Sequence, residues 1–192
     1  MFKKYAFTSM KYISLLRGIN VSGQKKILMA DLRDLYVDLG FSEVVSYIQS
    51  GNVIFDSRKS AKSCISIIQE GIKTAYGFDV PVQILTVDQW RKTIDSNPFL
   101  MVEPEIPIEQ LYVTFLAEKP KKEDVESLKD FYFGEDAWTL AGAIIYCKYA
   151  TRYSNSKLNN NFIEKKLKVS ATSRNWKTTL KLLELSTASI KK

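Results

Sequence analysis

The feature that most restricts the fold is an order of apolar patterns that runs through the chain twice. KYISLLR (11–17) is a short apolar run closed by Arg17-Gly18, the profile of a buried strand. Leu28, Leu32, Leu35 and Leu39 follow at spacings of four, three and four, which predicts one helical stripe stopped by Gly40. EVVSYIQ (43–49), the tight turn Ser50-Gly51-Asn52 and VIFDS (53–57) read as a hairpin. Ser60 caps a second helix with Cys64, Ile68, Ile72 and Ala75 inward, ended by Gly77. VPVQILT (80–86) is a further strand, so the first half is β-α-β-β-α-β. Thr86 and Gln89 have capping-box spacing for a short helix with Val87, Trp90 and Ile94 inward, closed by Asn97-Pro98.

Residues 98–109 hold three prolines and three glutamates and read as a linker. The order then restarts. QLYVTFLA (110–117) is a strand, and Pro120 opens a helix with Val125, Leu128 and Tyr132 on one face, stopped by Gly134. AWTL (137–140), Ala141-Gly142 and AIIYCKY (143–149) form a hairpin. A helix over 156–167 presents Leu158, Phe162 and Leu167 or Ile163, and Thr172 or Ser173 caps a last helix with Trp176, Thr179 or Leu180, and Leu183 inward. The second half thus reads β-α-β-β-α-α, its final strand missing or reduced to KVSAT (168–172).

A split β-α-β unit with interleaved antiparallel strands is the ferredoxin-like sandwich. The expected fold class is therefore α+β: two tandem ferredoxin-like domains (α/β plaits) with antiparallel sheets. The boundaries are an N-terminal extension 1–9, a first domain 10–97, a linker 98–109 and a second domain 110–192. One larger sheet shared by both halves is the alternative, and strand pairing separates the two.

The 192 residues contain no histidine, which removes Ser-His-Asp and Cys-His catalysis and the commonest metal ligand. Cys64 and Cys147 lie far apart and make neither a zinc set nor a disulfide framework, so they read as reduced, buried thiols. No metal and no cofactor are expected. No apolar run approaches the ~20 residues of a membrane span, and MFKKYAFTSM lacks the apolar segment of a secretory signal, so a cytoplasmic protein without membrane contact is expected. The net charge of +7 is uneven: residues 97–146 carry 4 Lys/Arg against 10 Asp/Glu, and residues 147–192 carry 11 against 2. That basic end suits either self-contact or phosphates.

In a 4-1-3-2 strand order the end of the first strand lies beside the start of the third. Arg17, Gly18 and Asn20 then neighbour Ser50, Gly51 and Asn52, with Lys25 and Lys26 in the same loop and a helix start close by. Backbone amides, side-chain amides and a guanidinium together make an anion seat. The structural alternative is that glycine and asparagine are there because tight turns need positive φ. Neither GxxxxGK[ST] nor GxGxxG occurs here. ATSRNWKTTLKL (171–182) is a second candidate, in which Arg174 and Lys177 meet phosphates, Asn175 adds an amide and Trp176 stacks on a base. Its structural alternative makes Trp176 core and the lysines a solvated face. TRYSNSKLNNNF (151–162) adds Arg152, Tyr153, Ser156 and Lys157 in a polar, exposed segment, and Asp31, Asp34 and Asp38 form the solvated face of the first helix.

YISLLRGINVSGQKKILMADLRDLYVDLGFSEVVSYIQSGNVIFDS closely resembles the opening of the bacterial family called domain of unknown function 1697, with an Arg-Gly-Ile-Asn loop and a Tyr-Ile-x-Ser-Gly-Asn hairpin. YSNSKLNNNFIEKKLKVSATSRNWKTTLKL is similar to the family's closing part. The resemblance implies a cytosolic bacterial protein of two ferredoxin-like domains, without an assigned activity. Ser22 stands where a glycine is usual. The match marks Arg17, Gly18, Asn20, Ser50, Gly51, Asn52, Thr172, Arg174, Asn175 and Trp176 as motif positions. The expectation for function is a binding module for a phosphorylated small molecule, nucleotide or nucleic acid at the Arg17–Asn20 loop. The alternatives are a metal-independent, histidine-free enzyme acting on a phosphate or acyl substrate, and a structural or self-association role for the motifs.

Overall fold

The structure, a computed structural model, describes residues 9–21 and 23–188. The expected extension 1–9 lies outside the described residues except for Ser9, and so does Ser22. The chain divides into two compact units. One holds the described residues up to Trp90 together with those from Glu184 onward, and the other runs from Arg91 to Leu183. The sequence places the division later, at 98–109, and leaves the C-terminal residues with the second domain.

The first unit contains β1 (Met10–Leu16), α1 (Met29–Asp38), β2 (Ser42–Tyr47), β3 (Asn52–Ser57), α2 (Ala61–Tyr76) and β4 (Val82–Thr86). Its sheet is ordered β2-β3-β1-β4 with antiparallel neighbours, the order expected from the sequence. Leu15 faces Asn52 on one side of β1 and Gln83 on the other. Tyr12, Leu16, Val53 and Phe55 pack with Leu32, Tyr36, Phe41, Ile68 and Ile72 in one core. The rings of Tyr36, Phe41 and Phe55 meet at 4.6–5.7 Å. Ser14, a buried polar residue of β1, is satisfied by Tyr36 Oη at 2.9 Å and by the carbonyl oxygen of Val53 at 3.0 Å. Tyr36 rather than Leu28 completes the helical stripe: Leu28 occupies the N-cap of α1 and is 69% exposed. Ser60 caps α2 through the amide of Ser63, and Gly77 closes it at φ 76°.

α3 (Val87–Asp95) begins with the expected capping box: Gln89 Oε1 accepts from the amide of Thr86 and Thr86 Oγ1 from that of Gln89. The segment read as a linker is partly helical. Asn97 Oδ1 accepts from the amide of Phe99 and Pro98 takes the first position of α4 (Pro98–Val102). Asn-Pro therefore opens a helix here instead of only closing one, because proline's missing N–H costs nothing at a helix start.

The second unit repeats the order with β5 (Leu111–Leu116), α5 (Lys122–Lys129), β6 (Ala137–Ala141), β7 (Ile144–Lys148), α6 (Asn160–Leu167), β8 (Ala171–Asn175) and α7 (Trp176–Thr187), the last of which runs past Leu183. Its sheet is ordered β6-β7-β5-β8, and pairing is antiparallel throughout. The described strands thus form two four-stranded antiparallel sheets, not one shared sheet.

Three expectations are corrected. The final strand is present as β8, paired with β5 from Tyr112↔Asn175 to Leu116↔Ala171, so Thr172 and Ser173 are strand residues and not caps. Thr114 and Ser173 hydroxyls meet at 2.5 Å across that pair, a cross-strand match that polar helix-capping residues conceal in sequence. α6 starts at Asn160, capped by Asn159 Oδ1 on the amide of Phe162, so 156–159 are not helical. Tyr132 lies beyond the end of α5 and is 85% exposed instead of inward.

Candidate functional site

The end of β1 and the β2–β3 turn lie side by side, as the strand order requires. The amide of Leu16 donates to the carbonyl oxygen of Gly51 at 2.8 Å, and the amide of Arg17 donates to that of Pro81 at 2.9 Å. Beyond Arg17 the backbone turns through left-handed conformations at Gly18 (φ 74°) and Asn20 (φ 56°), then at Gly23 and Lys25. Asn20 latches the loop from both sides. Its Nδ2 donates to the carbonyl oxygens of Ile27 (2.9 Å) and Gln49 (3.0 Å), and its Oδ1 accepts from the amide of Ile27 (2.9 Å). One amide therefore ties the loop to its own exit and to the hairpin tip.

The hairpin side is built with equal economy. Asn52, fully buried, donates through Nδ2 to the carbonyl oxygen of Tyr47 and to Ser50 Oγ, both at 3.0 Å. Gly51 has φ 75°, and a Cβ there would stand 2.7 Å from Leu16 Cβ and 2.9 Å from Ile19 Cδ1. At Gly18 a Cβ would meet nothing within 4 Å, so only the dihedral selects glycine there. Lys25 Nζ donates to the carbonyl oxygen of Asp79 at 2.6 Å and lies 5.9 Å from the centroid of Phe78. The sequence-selected Arg17, Gly18, Asn20, Lys25, Ser50, Gly51 and Asn52 are thus brought together in one corner. Arg17 is half-buried and Lys26 exposed.

In the second unit Arg174, Asn175 and Trp176 sit where β8 passes into α7. Arg174 is 9% exposed and donates from Nη1 to the carbonyl oxygen of Ser173. Asn175 Oδ1 accepts from the amide of Thr178 at 2.7 Å, so Asn175 is the first-turn cap that the sequence assigned to Thr172 or Ser173. Trp176 is buried at 1% exposure, so its ring is core and offers no face to a base.

The sequence reads 151–162 only as a polar, exposed segment beside the second candidate, and the structure shapes two adjoining surface cavities around it. One, of about 420 Å³, is lined by Tyr132, Glu135, Asp136, Asn155, Ser156 and Lys157 among others. The second, of about 800 Å³, includes Glu109, Tyr112, Arg152, Tyr153 and Ser154, and both share Ala150, Thr151 and Asn155. The segment is pinned from beneath. Tyr149 Oη donates to the carbonyl oxygen of Leu158 at 2.7 Å, and burial raises that phenol well above its ordinary pKa, so the proton stays in the bond. Asp136 accepts from the amide of Ala150 at 2.9 Å and from Ser156 Oγ at 2.6 Å. Tyr153 stacks on Tyr112 with centroids 5.0 Å apart. A signal was available: Tyr149 just before the polar run and Tyr153 within it are aromatic residues in a stretch otherwise without large apolar side chains. Among the described residues no group of three or more Cys, Asp or Glu side chains stands where it could hold a metal ion, and no helix is long and apolar enough to cross a membrane.

The structure of the conserved bacterial protein SP0830 from Streptococcus pneumoniae is similar to this chain at 23% identity and a TM-score of 0.75, covering 93% of this chain and 99% of that one. It shares the fold. None of the curated proteins matches. The model of the family described as Protein of unknown function (DUF1697) matches residues 10–146, a span that holds the Arg17–Asn20 loop and the Ser50–Asn52 turn and stops short of the closing motif. With its Arg-Gly-Ile-Asn loop latched to its Ser-Gly-Asn turn, this chain belongs to the DUF1697 family.

Proposed function

We propose that the chain is a binding module for an anionic, phosphate-type ligand at the Arg17–Asn20 loop. The observation that carries the reading is the Asn20 latch, which fixes a loop bearing Arg17, Lys25 and Lys26 against the hairpin tip before any ligand arrives. A loop already held in one conformation loses little entropy on binding. The guanidinium adds a planar fork for oxyanions and the lysines add charge. The strand order 4-1-3-2 in both units supports the finer reading of each as a ferredoxin-like sandwich. A cytoplasmic setting in a bacterium fits the same reading.

A second reading, that the motif serves only to dock loop on hairpin, is favoured by the side-chain hydrogen bonds of Asn20 and Asn52 and by the crowding at Gly51. Titration with inorganic phosphate, followed by amide chemical shifts, separates the two. Binding that weakens with rising salt and falls at least tenfold in Arg17→Ala is expected. Affinity unchanged in Arg17→Ala overturns the proposal. No phosphate binding, with a sharply lowered melting temperature in the variant, establishes the docking role.

A further inference from the structure

We propose a second, independent site: the adjoining cavities around residues 150–157 bind a nucleoside phosphate. The proposal does not depend on the reading of the Arg17 loop. It rests on how the segment divides its side chains. Those turned to structure are all spent: Ser156 on Asp136, Tyr153 on Tyr112 and on the amide of Asn160, and the backbone of Leu158 on Tyr149. Those left to the cavities are cationic or neutral polar. Arg152 and Lys157 form no ion pair with any described residue, although Glu109 and Glu135 line the same cavities.

The third part is Tyr132. Its neighbours Phe131 and Phe133 pack edge-on against Phe162, and Lys166 sits 3.9 Å from the Phe131 centroid. Tyr132 stands between them, 85% exposed on the cavity wall, with no ring contact or hydrogen bond to a described residue. An aromatic face in water beside unpaired cations is a stacking platform next to a phosphate seat. The carboxylates match the rest of such a ligand, because Glu135 and Glu109 can accept from ribose hydroxyls or an exocyclic amine. A bare phosphate would leave both acids opposing it, whereas a nucleoside phosphate has donors for them. Two adjoining cavities of about 420 Å³ and about 800 Å³, sharing Ala150, Thr151 and Asn155 in their linings, are each of the size that small-ligand sites have. In this arrangement the base lies on Tyr132, and the phosphates extend past Thr151 and Asn155 between Lys157 and Arg152.

The test is calorimetric titration of the full chain with ADP, without added metal, alongside adenosine and inorganic pyrophosphate. ADP is expected to bind more tightly than either half. Tyr132→Ala and Lys157→Ala, both at exposed side chains, are each expected to weaken it at least fivefold without moving the melting temperature, while Arg17→Ala leaves it unchanged. Affinity unaltered in both Tyr132→Ala and Lys157→Ala overturns the inference, as does an absence of ADP binding at millimolar concentration. ADP binding that is lost in Arg17→Ala and kept in Lys157→Ala also overturns it, and assigns the ligand to the first unit's loop.

Discussion

Replacing Gly51 and Gly18 separately by alanine divides the demands of this corner into two measurable parts. Both residues have φ near +75°, so both substitutions put an L side chain into the left-handed region. That costs about 1–2 kcal/mol, less the ~0.4–1 kcal/mol gained by restricting the unfolded chain. At Gly18 nothing stands within 4 Å of the new methyl, so the conformational term acts alone and a net loss of about 1 kcal/mol is expected. At Gly51 the methyl would lie 2.7 Å from Leu16 Cβ and 2.9 Å from Ile19 Cδ1. Leu16 Cβ is rooted in the central strand and cannot swing away, so overpacking adds about 1–3 kcal/mol. Gly51→Ala should therefore lose about 2–4 kcal/mol in all. Equilibrium unfolding in urea reads this as a lower midpoint at unchanged slope. Equal losses in the two variants would refute the argument that close approach, and not the turn dihedral alone, fixes the glycine of the hairpin tip.

Asn20→Ala removes three hydrogen bonds, two of them partly shielded, and should cost about 2 kcal/mol in the same assay. Asn20→Asp should be no better, because a carboxylate would face the carbonyl oxygens of Ile27 and Gln49, and a near-neutral aspartate variant would show that the latch is misassigned. Asp136→Ala, which frees the amide of Ala150 and the hydroxyl of Ser156, should lose about 2 kcal/mol, and amide exchange should rise locally over 150–158. Burial pushes the Cys147 thiol up to about 12 and raises the phenols of Tyr36 and Tyr149. Since these folded-state values lie above the ordinary 9.0 and 10.0, their contribution is complete below about pH 9 and is lost as pH rises, by up to ~1.4 kcal/mol per pH unit for each group. The urea midpoint should fall between pH 8 and 10.5, with no reaction of either cysteine with a thiol reagent in the folded chain at pH 8; a flat midpoint contradicts the assignment.

The central architecture was legible because strands and helices repeat apolar residues at different periods, and both halves carried those periods in the same order. Leu32, Ile68 and Ile72 are core as their spacing demands. What escaped depended on contacts between distant residues. Tyr36 joins the core because Ser14 satisfies its hydroxyl, and no count of apolar spacing foresees that. β8 is polar, ATSRN, and is a strand through its pairing along β5, where Thr114 also meets Ser173. At the candidate corner, the loop and turn were readable as neighbours from strand order alone. That Asn20 would be the latch was not, since asparagine at positive φ looks the same whether its amide points to protein or to water. Arg152 and Lys157 were visible as polar residues, but their cavity depends on the Tyr112, Tyr149 and Tyr153 frame beneath them.

The position of β1 in the middle of its sheet bears on synthesis. It meets β3 on one side, and on the other it waits for β4, whose Thr86 lies opposite Tyr12. β5 stands in the same relation to β8, with Tyr112 opposite Asn175. A ribosome therefore delivers each innermost strand long before its second neighbour, and until then that strand's outer hydrogen-bonding groups have no mate. Sheets closed by such late, distant pairings form slowly relative to helices, so nascent chains halted just before residue 82 or residue 171 are the ones on which a chaperone would find the most to hold.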